Sequence, residues 1–261
     1  DKFFDGVIDN FIETYSDGQT PVPCIQCNQT VKFRDLLGEA KKMNADALIT
    51  GHYVRRLGNQ TNAKLFKAKD ETKDQSYFLF ATLKDQLDFV RFPLGNYLKS
   101  EIRDIAKNLN LIVSDKPDSQ DICFVSSKSY RDFLIKLKPD LNIEGNFIDS
   151  NGGILGKHKG IANYTVGQRK GLGIGGNNFP LYVIDINKKK NEVVLGPQIF
   201  LKKTVISLKD INWLDETISK KQLNCSAKIR STQKERPGVL NITSQKAEFI
   251  LRGLRAGFDF E

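Results

Sequence analysis

Methionine and tryptophan occur once each in this chain, histidine twice and cysteine only four times among 261 residues. Cys24, Cys27, Cys123 and Cys225 are too few and too scattered for a disulfide scaffold in a chain of this length, so a reducing cytosol is the expected setting. No apolar run approaches the ~20 residues that span a bilayer, so no membrane partner is expected. Internal repeats and low-complexity tracts are absent. No signal peptide is visible, but Asp1 is not a natural start, so an organellar origin stays open beside a bacterial cytoplasmic one.

Acidic charge is the other shortage. Lys and Arg number 40 against 31 acids, a net charge of +9 with 39% hydrophobic residues. That composition supports a buried core and two or three domains. The basic excess favours a polyanionic partner, because neutralised phosphates release counterions; a generally basic proteome is the bland alternative.

The first half alternates helices and strands. Phe4, Val7, Ile8, Phe11 and Ile12 recur at helical spacing. After Pro21 and Pro23 a second helix is predicted from about Asn28, burying Val31, Leu36, Leu37, Ala40 and Met43. The run 47–50 reads as a buried parallel strand ending at Gly51 and His52, the end where open α/β sheets place ligands. Ser100 is the expected N-cap of a helix burying Ile102, Ile105, Ala106 and Leu109, and a further helix is expected over Tyr130 to Leu137. Beyond about Asn142 glycine becomes frequent and helical periodicity fades. The runs 181–184 and 192–195 flank the polar turn 187–191, a hairpin signal, and short strands follow at 225–229 and 238–242.

Cys24-Ile25-Gln26-Cys27 is a CxxC. As half a zinc site it lacks a second close pair, since Cys123, Cys225, His52 and His158 are isolated; no metal site is assigned. No thioredoxin-like pattern supports a redox pair. The third reading is one reactive cysteine, with Cys27 placed just before a helix whose amino terminus, with Lys32 and Arg34, favours a thiolate. A buried structural thiol is the bland alternative. Residues 171–176 match GxGxxG formally, but no strand precedes and no amphipathic helix follows, so a dinucleotide site is rejected. With Gln168, Arg169 and Lys170 ahead of it, the segment reads as a flexible basic loop facing a phosphate backbone, or as an ordinary β-domain loop.

Five blocks in order, PVPCIQCNQTVKF (21–33), ALITGHYVR (47–55), KDQSYFLF (73–80), DSQDICFV (118–125) and GIANYTVGQRKGLGIGG (160–176), resemble the tRNA-specific 2-thiouridylases of the MnmA/TrmU type. The resemblance covers nearly the whole chain. It implies an α/β fold: a truncated adenine-nucleotide α-hydrolase-like (PP-loop Rossmann) domain at 1–126, a small central tRNA-contacting domain at 127–198, and an incomplete C-terminal β-barrel at 199–261. It implies an ATP-dependent tRNA sulfurtransferase that forms 2-thiouridine at the wobble position, with tRNA, ATP with Mg²⁺ and a sulfur-donor protein (a cysteine desulfurase or sulfur relay) as partners. By motif, Cys123 carries the persulfide and Cys27 is its partner nucleophile, and a disulfide bond belongs to that chemistry. Gly51 falls at the nucleotide; His52, Lys73, Asp74, Gln75, Arg169, Lys170, Arg230 and Ser231 fall at the tRNA.

Three departures from the family stand out. The SGGxDS-type nucleotide loop is absent, which reads as amino-terminal truncation and predicts that this chain alone does not adenylate tRNA. Cys24 stands where many members have an Asp that is a candidate general acid/base. The tail 255–261 departs from the family's final barrel strand. Two alternatives follow: a non-catalytic RNA-binding remnant lacking the ATP site, and a different PP-loop ATPase acting on a small carboxylate.

Overall fold

A computed structural model of the chain describes residues 2–59, 61–117, 122–125, 130–175, 179–215, 221–243 and 246–252. Residues 118–121 of the fourth block, Gly176 of the fifth and the tail 255–261 lie outside them.

The first helix is as predicted. A π-type turn, Phe4–Ile8, runs into α1 (Asp9–Ser16), and Val7, Ile8, Phe11 and Ile12 are buried while Phe4 is exposed. The second helix differs. It opens at α2 (Pro23–Cys27), with Pro23 in the first turn, where a missing N–H costs nothing. It then continues without a break through a π-type stretch, Asn28–Leu36, into α3 (Leu37–Lys42). Leu37 is buried, but Leu36 is 52% and Met43 79% exposed. The buried residues of this wide turn are Asn28, Thr30 and Phe33, followed by Leu37, a spacing of two, three and four that a regular 3.6-residue period does not reproduce. Asn44 ends the helix in the left-handed conformation (φ 56°), with the Ala45 N–H closing back on the Ala40 carbonyl at 3.0 Å.

Four short strands follow: β1 (Leu48–Ile49), β2 (Val54–Leu57), β3 (Lys64–Lys67) and β4 (Val90–Arg91). β1 pairs parallel with β4, as the sequence predicts of 47–50, but Ile49 is 68% exposed, so the strand is not buried on both faces. β2 and β3 form an antiparallel pair. Two helices frame β4: α4 (Lys84–Phe89) before it and α5 (Lys99–Asn108) after it. Leu98, not Ser100, caps α5, and its N–H donates to Glu101 Oε2 at 2.6 Å. No residue of α5 is buried; Ile105 and Leu109, predicted as core, are exposed. The core of this region is Phe33, Leu37, Val54, Leu79, Leu87, Val90 and Phe92. Burying each such large side chain contributes about 1.5–3 kcal/mol.

α6 (Tyr130–Leu137) forms as predicted and sets Leu134 against Ile8, Phe11, Ile12 and Tyr15. A four-stranded sheet follows, built from β5 (Gly145–Ile148), β6 (Ile154–His158), β7 (Tyr182–Asn187) and β8 (Glu192–Gly196) in the order β6-β5-β8-β7. Only β5 and β8 run parallel. The predicted hairpin is β7–β8, with Asn191 in the left-handed conformation. Phe147, Val183, Val193 and Leu195 form this core, closed by Tyr164 and Leu172. His158 is buried within it: Nδ1 accepts from the Gly160 N–H at 3.0 Å, so Nε2, 3.1 Å from the Asn191 carbonyl, is the donor. Burial lowers its pKa, and this histidine is a neutral structural one.

The third region holds β9 (Val205–Leu208), β10 (Gln222–Ala227), β11 (Arg236–Ile242) and β12 (Ala247–Leu251), antiparallel in the order β10-β11-β12-β9. Among the described residues it is an open sheet. It is tied to the first region where Tyr77 Oη donates to the Ile229 carbonyl at 3.0 Å, and where Asn212 Nδ2 donates to the Phe80 and Thr82 carbonyls at 2.8 and 2.7 Å. It is tied to the middle region by Arg230, which donates to the Val166 carbonyl at 3.3 Å. Among the described residues no helix is long and apolar enough to cross a membrane.

Candidate functional site

Cys24 lies in the first turn of α2 and Cys27 three residues on, so both face one side of the helix. Cys123 sits on a tight turn closed by the Val125 N–H donating to the Ile122 carbonyl at 3.0 Å. Its neighbours anchor that turn. Ile122 and Phe124 pack on the α1–α6 core, and the Phe124 ring meets Phe11 at 5.3 Å, Phe133 at 5.6 Å and Phe3 at 5.9 Å. Cys123 is therefore exposed on a fixed base. The fold brings it to α2, where its charge acts on both Cys24 and Cys27.

The electrostatics differ from expectation. Cys27 stands at the end of α2 inside a continuous helix, so no helix amino terminus favours its thiolate; the first-turn position belongs to Cys24. Burial pushes the Cys27 thiol up, Cys123 and Cys24 add to that, and the Lys32 ammonium opposes it. Cys24 is exposed as a residue, but the atoms packed around its sulfur desolvate it and push the thiol up, followed by Cys123, again against Lys32 and a hydrogen bond to its own backbone. Arg34 does not join the cluster, because its guanidinium is paired with Asp35 at 2.8 Å. All four cysteines are free thiols, so the expected disulfide bond is not formed in this state. Cys225 packs instead into the third-region core.

His52 follows β1 and Gly51. Its Nδ1 lies 2.9 Å from Thr50 Oγ1 and its ring meets Phe33 and Phe92 edge-on at 6.0 and 6.2 Å. Burial first, then Lys32, lowers its pKa from 6.5 to about 4, so the imidazole is neutral at physiological pH and brings no charge to a phosphate. Gly51 is exposed, and a Cβ there would meet only Leu94 at 3.7 Å. The KDQ segment is held to this corner. The Gln75 N–H donates to the Tyr53 carbonyl and the Tyr53 N–H donates to Gln75 Oε1, both at 2.9 Å. Asp74 accepts from the Ala68 N–H at 2.9 Å and from Ser76 Oγ at 2.6 Å, and the Lys73 N–H donates to the Asp70 carbonyl at 3.1 Å. Asn28, given no role from sequence, is buried beside Cys27 and donates to the Phe78 carbonyl at 3.1 Å. The signal that could have found it is a polar residue on the inner face of the helix that carries the CxxC.

Arg169 and Lys170 are exposed at the tip of a loop that is stapled rather than slack. The Gly167 N–H donates to the Val183 carbonyl at 2.8 Å, and Gln168 Nε2 donates to the Lys170 carbonyl at 2.9 Å. Gly171 and Gly173 take positive φ (76° and 68°), and Leu172 between them is buried. Arg230 is half-buried beside Tyr77, and burial lowers its pKa; Ser231 is exposed next to it.

Among the described residues no group of three or more His, Cys, Asp or Glu could hold a metal ion. Nor do those residues build a Gly-rich turn opening a helix, the cradle that nucleotide phosphates use. ATP with Mg²⁺ thus finds no fitting site among them.

Family models match two stretches, the tRNA methyl transferase HUP domain over residues 1–127 and the tRNA methyl transferase PRC-barrel domain over 131–197. The barrel match falls on the middle sheet. Proteins named tRNA-specific 2-thiouridylase MnmA are similar over most of the chain. One from Wolbachia sp. subsp. Drosophila simulans is 51% identical over 92% of this chain and 64% of its own length. Those from Rickettsia massiliae and Paracoccus denitrificans are 49% and 46% identical, over 90% and 96% of this chain and 64% and 65% of theirs. The chain thus spans about two thirds of the length of these curated relatives.

Proposed function

Because the chain belongs to the tRNA-specific 2-thiouridylase family, we propose that it carries the sulfur-handling site of a tRNA-uridine sulfurtransferase acting at the wobble position. The observation that carries this reading is that Cys123 stands within electrostatic reach of Cys24 and Cys27, which share one side of α2, with the Lys32 ammonium acting on both. The matched models speak of methyl transfer, but a methyl donor needs no cluster of thiols.

On this reading a sulfur-donor protein loads one sulfur onto Cys123, whose exposure on an anchored turn suits a protein-to-protein handover. ATP, for which the described residues build no phosphate cradle, would supply from outside them the chemistry that turns the uridine C2 oxygen into a leaving group. The terminal sulfur on Cys123 attacks C2, and Cys27 Sγ then attacks Cys123 Sγ. The S–S bond to the transferred atom breaks, its electron pair collapses from that sulfur onto C2, the activated C2 oxygen departs with the group ATP placed on it, and a Cys27–Cys123 disulfide forms. Lys32 steadies the thiolate of Cys27 at that moment. His52, neutral, and Gln75 line the approach beside Gly51, and Arg169, Lys170 and Ser231 face the tRNA backbone. Arg230 acts by holding the loop at Val166. The working divisions are 1–126, 127–198 and 199–261, and a reducing cytoplasm suits free thiols.

The test uses the chain extended at its amino terminus by an SGGxDS-type nucleotide loop, with ATP, tRNA, a cysteine desulfurase and labelled cysteine. Cys123→Ser is expected to lose both trapped label and 2-thiouridine while retaining tRNA binding. Cys27→Ser keeps the label and loses 2-thiouridine. Label on Cys27 alone, or thiolation by Cys123→Ser, overturns the assignment. Intact loading with no 2-thiouridine on any tRNA would favour a non-catalytic binder.

A further inference from the structure

The proposed reaction leaves Cys27 and Cys123 joined, and the mechanism above assigns no residue to part them. A third thiol stands in the same cluster. Cys24 precedes Cys27 by one helical turn, is exposed, and lies within electrostatic reach of Cys123. We propose that Cys24 is the resolving thiol of this site: it attacks Cys27 Sγ in the Cys27–Cys123 disulfide and returns Cys123 as a free thiol. This rests on the reading given under the proposed function.

The step balances without an oxidant. The Cys27–Cys123 S–S bond breaks, a Cys24–Cys27 S–S bond forms, and the proton lost from Cys24 ends on Cys123. An external dithiol then reduces the Cys24–Cys27 disulfide. Backbone geometry permits the product. Residues three apart on an α-helix have Cα atoms roughly 5 Å apart, and disulfides span Cα separations of about 4.4–6.8 Å. Cys24 lies in the first turn, which has the slack to adjust. The anchored Phe124 holds Cys123 in place, so release leaves it ready for another sulfur.

The electrostatics also time the step. In the reduced site, burial and the neighbouring Cys123 hold the Cys24 thiol up, against Lys32. Once Cys123 and Cys27 share a disulfide, neither can carry negative charge. The repulsion vanishes while Lys32 remains, so Cys24 becomes more acidic when its thiolate is needed.

The experiment treats the intact protein with oxidised glutathione, removes it, and follows each cysteine by alkylation and peptide mass spectrometry. In the wild type a Cys27–Cys123 link is expected first. It then gives way to a Cys24–Cys27 disulfide with Cys123 alkylatable again. In Cys24→Ser, and in Cys24→Ala as a second variant, the Cys27–Cys123 link persists until dithiothreitol is added. With limiting dithiothreitol these variants complete a first round of tRNA thiolation normally but slow in later rounds by roughly tenfold. Failure of the Cys27–Cys123 link to form in the wild type sinks the proposed function and this step with it. A link that forms and persists beside a reduced Cys24, or that moves to Cys24–Cys123, overturns the resolving role alone.

Discussion

Gln75 and Tyr53 clasp each other twice, backbone to backbone and side chain to backbone, both at 2.9 Å, and so fix the residue next to His52. Gln75→Ala leaves the Tyr53 N–H without its acceptor in a half-buried corner. The expected cost is about 1–2 kcal/mol in denaturant unfolding. Gln75→Glu keeps the acceptor and should recover most of it at neutral pH. Equal stability of the alanine variant and wild type would show that the clasp contributes nothing.

His52 makes stability depend on acidity. Its pKa falls from 6.5 to about 4 on folding, so the unfolded chain binds a proton that the folded chain refuses between those values. The contribution is complete above pH ~6.5 and is lost as pH falls towards 4, on the order of 3 kcal/mol in all. His52→Gln should flatten this part of the pH–stability curve; an unchanged slope between pH 6.5 and 4.5 would count against a buried neutral imidazole.

Lys32 should move two groups in opposite chemical senses. With Lys32→Gln, the thiols of Cys27 and Cys24 lose an opposing cation and rise further, whereas His52 loses a repelling one and climbs back towards its ordinary value. Alkylation of Cys27 at pH 8 is expected to slow by roughly two- to fivefold. The His52 ring-proton titration is expected to shift upwards. A change in one without the other would show that Lys32 is not shared.

Arg169 and Lys170 are expected to act through charge alone. Replacing both by Gln should lower the salt slope of tRNA binding by about 0.7–0.9 for each phosphate that is no longer neutralised, with no change in melting temperature. Arg230→Ala should instead destabilise the protein, because the guanidinium is built into the junction at Val166. Weaker binding with an unaltered salt slope for the double variant would move the phosphate-binding surface elsewhere.

What the sequence disclosed follows from how local each signal is. The helix at Tyr130–Leu137 and the β7–β8 hairpin rest on short-range periodicity and turn chemistry, and both form where predicted. The second helix runs out of phase with its pattern because a π-type stretch is set by tertiary packing around Phe33, which a 3.6 period cannot register. Ile105 and Leu109 form an apolar stripe whose spacing is helical, but spacing alone does not say that a neighbour covers it. Only the family resemblance links Cys123 with Cys27 as an expectation; periodicity offers no path across so long a separation. The role of Phe124 as the peg beneath Cys123 is a matter of three distant rings meeting, which leaves no trace in one-dimensional pattern.

The junction where Tyr77 reaches Ile229 and Arg230 reaches Val166 joins the third region to the other two by links of one kind, a side-chain donor on a main-chain acceptor. The acceptor half of each link is carried by the peptide backbone, which no side-chain replacement removes. The seams can therefore be loosened only from the donor side, at Tyr77 and Arg230, while Ile229 and Val166 are free to vary in side chain without breaking them.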